Sequence, residues 1–114
     1  MIDMIEKIIL EYLEDVLNVP VYMMRPENVS GQFVLIDKVG GSEQDHLRRA
    51  QIAFQSYGDT LLDAATLNES VIEAAKKLAT LDEISSSKYT NDYNFTNTAD
   101  KHPRYQAVFE IYYY

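Results

Sequence analysis

The chain has 114 residues, ten lysines and arginines against eighteen acids for a net charge of −8, 46% hydrophobic residues, and neither cysteine nor tryptophan. That length suits one compact domain whose core needs no covalent staple, and the composition is that of an ordinary globular protein. The missing cysteines exclude a disulfide scaffold, a thiolate metal site and a cysteine nucleophile. The acid surplus argues against general nucleic-acid binding, which needs excess lysine and arginine at phosphates.

Met1–Ile5 opens apolar, but Asp3, Glu6, Lys7 and Glu11 break the run far short of a membrane span. A basic segment followed by an apolar stretch and a small-residue cleavage site is absent, so the expectation is a reducing, cytosol-like compartment. Sequons beginning at Asn28, Asn68 and Asn94 are then expected to be chance matches.

Ile2, Ile5, Ile9, Tyr12, Leu13 and Val16 recur at helical spacing and predict a helix over residues 2–17. Asn18 and Pro20 end it, because the residue before proline avoids the helical region. Val21–Met24 is expected as a short edge strand, followed by a polar turn over Glu27–Gln32. Phe33–Ile36 is apolar at every position, which suits a central strand covered on both faces.

Gly40–His46 is glycine-rich and then polar, predicting a long mobile loop. From Arg49 to Tyr57 the pattern alternates, with Ala50, Ile52 and Phe54 on one side and Gln51 and Gln55 on the other, as in a strand. Gly58-Asp59-Thr60 switches the period, and an apolar stripe from Leu61 to Ala79 predicts a second helix over 60–79, capped by Asp59 or Thr60. Lys76 and Lys77 fall in its last turn, where the helix dipole favours cations.

Glu83–Phe95 is expected as a long solvent-facing strand with Tyr89, Tyr93 and Phe95 in phase. Thr96–Pro103 is expected as a loop, and Tyr105–Tyr113 as a last strand with Tyr105, Ala107, Phe109, Ile111 and Tyr113 on one face. The order α-β-β-β-α-β-β over residues 1–114 predicts one α+β domain, a mainly antiparallel sheet with two helices on one face.

Motifs for catalysis are missing. His46 and His102 fall in different expected loops, without metal-ligand spacing, and are expected to be exposed. No G-x-S-x-G elbow occurs. The Gly40-Gly41 pair lacks the lysine and helix of a phosphate-binding loop, and is expected to be a hinge. The pairs Glu14/Asp15 and Asp82/Glu83 are expected to be solvated surface rather than an acid–base couple. The expectation is therefore no enzyme, no cofactor and no metal.

Two interface candidates stand out. Six of nine tyrosines follow residue 85, and Tyr112 and Tyr114 point away from the expected core face. Outward tyrosines suit a contact surface, since they bind with little entropy lost. Glu43 and Asp45, next to Arg48 and Arg49, form a charged surface able to interlock with a neighbouring copy.

Several stretches resemble a known family. Ile52–Ala65 (IAFQSYGDTLLDAA), Phe33–Lys38 (FVLIDK), Asp92–Thr96 (DYNFT) and Arg104–Tyr112 (RYQAVFEIY) are similar to the small tail-terminator, or tail-completion, proteins of long-tailed bacteriophages. The likeness runs from about residue 12 to the end and is greatest to versions from phages and prophages of Gram-positive bacteria. It implies a structural role in the virion, assembled in the bacterial host cytoplasm, on an α+β fold with no active-site residues. The implied partners are further copies of the chain in a ring, typically a hexamer, with a free monomer before assembly, the tail tube protein, and the neck proteins of the head connector. Such a ring stops tube growth and joins head to tail, with DNA passing through it unread and no membrane involved. Acidic side chains lining the bore would repel that DNA. Two rival expectations are a head-side neck protein, either a stopper, an adaptor or a head-completion protein, and a non-phage α+β binding module.

Overall fold

The structure, a computed structural model, describes residues 4–27, 30–99 and 101–114. Its elements are helix α1 (Ile5–Val16), strands β1 (Val21–Tyr22), β2 (Phe33–Gln44) and β3 (Leu47–Tyr57), helix α2 (Leu61–Lys76), and strands β4 (Ile84–Asn94) and β5 (Arg104–Tyr113). A short 3₁₀ turn, Lys77–Thr80, closes α2. The expected α+β order is the observed one. Ile2 and Asp3 of the expected first helix, Asn28 of the first sequon and Asp100 of the expected Thr96–Pro103 loop lie outside the described residues.

One five-stranded sheet runs in the order β1-β2-β3-β5-β4. All neighbours are antiparallel except β1, which lies parallel to β2 through Val21–Val34 and Tyr22–Leu35. The chain leaves β3 through α2, lands at the far edge as β4, and returns as β5 between them.

Both helices cover the same face of this sheet. Ile5, Ile9 and Leu13 of α1 and Leu67, Val71, Ile72 and Ala75 of α2 share one buried cluster with Val34, Ile36, Ala50, Ile52, Phe54, Ala107, Phe109 and Ile111. Period-two alternation in β3 and β5 aims these strand residues at the helices, and edge-to-face packing joins Phe54 to Phe109. Tyr12 ties the helices together by donating its hydroxyl to the Ala74 carbonyl at 3.0 Å, and burial raises that hydroxyl's pKa.

Turn chemistry fixes where α2 starts. The Thr60 side chain accepts from the Asp63 N–H at 3.0 Å, a side-chain N-cap. Gly58 is required by space, since a Cβ there would sit 2.6 Å from the backbone nitrogen of Ala64.

Three expectations are corrected. Gly40–His46 is not a mobile loop or a hinge. β2 continues to Gln44, paired with β3 down to Gln44–Leu47, and only Asp45 and His46 make the turn. Both adopt left-handed φ, 54° and 67°, as in a two-residue type I′ hairpin. Neither Gly40 nor Gly41 has a positive φ, so the glycine pair lies in extended backbone rather than in a turn.

The second correction concerns phase. A register shift between Tyr89 and Asn91 puts Tyr89 opposite Phe109 on the helix side, while Tyr93 lies opposite Gln106 on the other side. Tyr93 and Phe95 share a face, with their rings 5.7 Å apart, and Tyr89 does not join them. The bulge at Thr90 inserts one residue and inverts the alternation, which spacing alone does not reveal. The third concerns His102, which is not an exposed histidine but a half-buried one against Phe33 and Tyr57.

Candidate functional site

The sheet face away from the helices brings together two of the six expected contact residues, Arg49 and Tyr112, with Asp45 beside them in the hairpin turn. Strand alternation sends Gln51, Gln55 and Arg49 of β3, Gln106, Val108, Glu110 and Tyr112 of β5, and Lys88, Asn91 and Tyr93 of β4 to this side, as their register pairings require. It is a polar surface built on rigid strands rather than loops.

Toward the end of the face where β3 finishes and β5 begins, a hydrogen-bond chain crosses three strands. Arg104 donates Nη1 to the Tyr57 hydroxyl at 2.7 Å, Tyr57 donates to Gln55 Oε1 at 3.1 Å, and Gln55 Nε2 donates to Gln106 Oε1 at 3.1 Å. Gln106 Nε2 then donates to the Tyr93 hydroxyl at 2.6 Å. Gln55 and Gln106 are buried side chains, and each finds partners, as buried amides must.

One end of this face is aromatic. Phe33 and Tyr57 stack with centroids 4.3 Å apart, and the His102 ring meets both edge-on. The guanidinium groups of Arg25 and Arg104 lie 5.4 Å and 5.6 Å from the Tyr57 centroid. Arg25 Nη2 is 3.2 Å from His102 Nδ1, which accepts because a guanidinium only donates.

The expected contact residues fall into three groups. Arg48 and Arg49 do not act as a pair, because they are adjacent on β3 and therefore point to opposite faces. Arg49 lies on the open face and donates to Glu110 at 2.5 Å. That bond lowers the Glu110 pKa and raises that of Arg49. Arg48 lies on the helix side, opposite Glu43 in register, with its guanidinium 5.1 Å from the Tyr113 ring centroid.

Tyr112 lies on the open face opposite Arg49, with the Lys88 ammonium 5.4 Å from its ring centroid. Tyr114 is 74% exposed just past β5, its N–H bonded to the Glu83 carbonyl. Asp45 sits in the hairpin turn, away from both tyrosines in the chain but beside Tyr112 and Arg49 in one concavity.

Charge divides between the layers. The helices carry Glu6, Glu11, Glu14 and Asp15 on α1 and Asp63, Glu69 and Glu73 on α2, against Lys7 and Lys76. The open sheet face carries Arg49, Lys88 and Arg104 with Asp37 and Glu110. The acid surplus therefore belongs largely to the helix layer.

Two features escape sequence reasoning. Asn68, the first residue of a sequon, is buried on α2 and donates Nδ2 to Asp92 Oδ2 at 2.9 Å, so it offers no accessible acceptor. Asp92 also receives the Tyr89 hydroxyl, which raises the pKa of that phenol. A polar residue within the stripe of a predicted helix was the available signal for Asn68. No helix of the described residues is long and apolar enough to cross a membrane. A scan against protein-family models and a search of curated proteins each find no match to this chain.

Proposed function

We propose that the protein is a structural component of a long-tailed phage particle, a tail terminator that forms a ring on the head-proximal end of the tail tube. One face of the ring would copy the axial surface of a tube subunit while the other presents a joining surface to the head connector, so growth ends when the ring docks. The role requires no catalytic residue, cofactor or metal.

The observation that carries the reading is the placement of the resembling stretches. Phe33–Lys38 opens β2, Ile52–Ala65 spans the end of β3, the turn and the start of α2, and Arg104–Tyr112 is nearly all of β5. These strands are neighbours in the middle of the sheet, so the likeness follows one continuous structural unit rather than scattered loops. The face without helices supplies a rigid surface that carries Tyr93, Tyr112, Arg49 and Arg104, and tyrosine and arginine are residues suited to interfaces.

Electron microscopy of particles from a phage carrying a stop codon at Glu6 of this gene tests the proposal. Overlong tails of scattered length, detached from full heads, are the expected result. Tails of normal length beside unattached or leaking heads would move the protein to the head side of the neck. Intact infectious particles would overturn the phage-structural reading.

A further inference from the structure

The sheet ends in two edges that have no strand partner among the described residues. β1 covers only Val34 and Leu35 of β2, so the outer edge of β2 is open from Ile36 to Gln44. At the opposite side the outer edge of β4 is open along Ile84–Asn94. Such edges present rows of unpaired N–H and C=O groups, a template for another strand.

The two edges are complementary in direction and in register. β2 runs antiparallel to β3, β3 to β5 and β5 to β4, so β2 and β4 run opposite ways. A second copy displaced sideways along the sheet therefore brings its β4 against β2 as an antiparallel neighbour. Each edge contains one bulge within the segment concerned, between Lys38 and Gly40 in β2 and between Tyr89 and Asn91 in β4. One register aligns these bulges, running from Ile36 opposite Asn94 to Gln44 opposite Ser86. It keeps helix-side residues opposite helix-side residues on both sides of the bulges, which a shift of one residue would not.

That register also matches side chains. Lys38 meets Asp92, an opposite-charge pair, and Asp37 meets the Tyr93 hydroxyl. Gly41 meets Tyr89, a ring 43% exposed in the single chain. Nothing within one copy demands glycine at 41, since its φ is not positive and the nearest atoms a Cβ would meet are the tail of Lys38 and, at 3.5 Å, the Arg49 carbonyl. An aromatic ring laid across a glycine on the neighbouring strand supplies a reason for it. Phe95 of the incoming strand would then end beside Met23 and Met24, both exposed.

We infer that the open edges of β2 and β4 are the two halves of a head-to-tail contact between copies of this chain, paired through Lys38–Asp92 and Gly41–Tyr89. The inference rests on the proposed role as a self-assembling structural protein and names the contact that role would use. A contact of this kind is heterologous and repeats until it closes.

The cysteine-free chain permits a direct test. Ser42→Cys with Lys88→Cys places thiols opposite each other across the proposed contact, on the face away from the helices. Within one copy β3 and β5 separate the two positions by about 14 Å or more, three strand spacings, too far for a disulfide. Oxidation of the purified double variant is expected to give a ladder of disulfide-linked oligomers on non-reducing gels. Ser42→Cys with Tyr93→Cys, on the same face but off register, is expected to give none.

No ladder at any concentration up to the solubility limit, or an equal ladder in the off-register variant, would overturn the inference. Gly41→Val checks it independently. The variant is expected to keep the parent's circular dichroism and melting but, when added to Ser42→Cys with Lys88→Cys, to cut the disulfide-linked ladder at least tenfold, and an undiminished ladder would overturn the register. A ladder together with normal tails in the stop-codon phage would keep the contact and remove the tail-end role. Overlong tails without a ladder would do the reverse.

Discussion

Tyr57 connects three kinds of interaction at one position. Its ring stacks on Phe33 and faces two guanidinium groups, while its hydroxyl accepts from Arg104 and donates to Gln55. Tyr57→Phe keeps the stack and leaves Gln55 Oε1 without that donor, so the expected loss is about 1–2 kcal/mol, read as a lower urea midpoint at unchanged slope. Arg49 and Glu110 make the neighbouring prediction one of pH. The Arg49 bond holds the Glu110 carboxyl below its ordinary pKa. A carboxylate with a depressed folded pKa stabilises the fold above its unfolded pKa of about 4.3, and that contribution is lost as pH falls through the folded value. Urea midpoints are therefore expected to fall more steeply below about pH 5 in the parent than in Glu110→Gln. Parallel curves for the two proteins would show that the pair does not contribute.

At the scale of elements, the β2–β3 hairpin departs most from its sequence. Its two turn residues, Asp45 and His46, both hold left-handed φ, which side chains other than glycine adopt at a cost. Asp45→Asn with His46→Gly supplies the preferred residues of a type I′ turn, and relief of the left-handed strain at His46 is expected to gain about 1 kcal/mol, seen as a higher melting temperature. A mobile loop at this place would leave the melting temperature unchanged. β4 shows the complementary case, where local spacing was regular but the bulge at Thr90 assigned Tyr89 and Tyr93 to opposite faces. Glycine pairs are ambiguous for the same reason, since they serve turns through positive φ and strands through close approach.

Over the whole molecule, both helices and the sheet share one core, and the fold is elongated, 43 × 24 × 23 Å. Leu13 is fully buried where α1 joins that core, so Leu13→Ala is expected to cost about 2–5 kcal/mol. Denaturation of the variant should remain a single transition by circular dichroism and by tyrosine fluorescence, because α1 has no separate core of its own. Charge is distributed on the same scale, with most of the acid surplus on the helices and Arg49, Lys88 and Arg104 beside Asp37 and Glu110 on the bare sheet face. A ring with an acidic bore therefore has to turn its helices inward, and one that turns the sheet inward presents a mixed, partly basic surface to DNA.

The element order, the helix-facing sides of β3 and β5, and the capped start of α2 were legible in the sequence, because each depends on a repeat of two or 3.6 residues or on one local hydrogen bond. Several features depended on residues distant in the chain: the length of β2, the face of Tyr89, the burial of Asn68 and the partial burial of His102. β3 holds Gly40 and Gly41 in a ladder, β5 sets the register that bends around Thr90, and Phe33 and Tyr57 meet His102 only after the sheet has formed. Pairing partners, bulges and open edges arise from contacts between residues far apart in sequence, so the tertiary structure alone decided them.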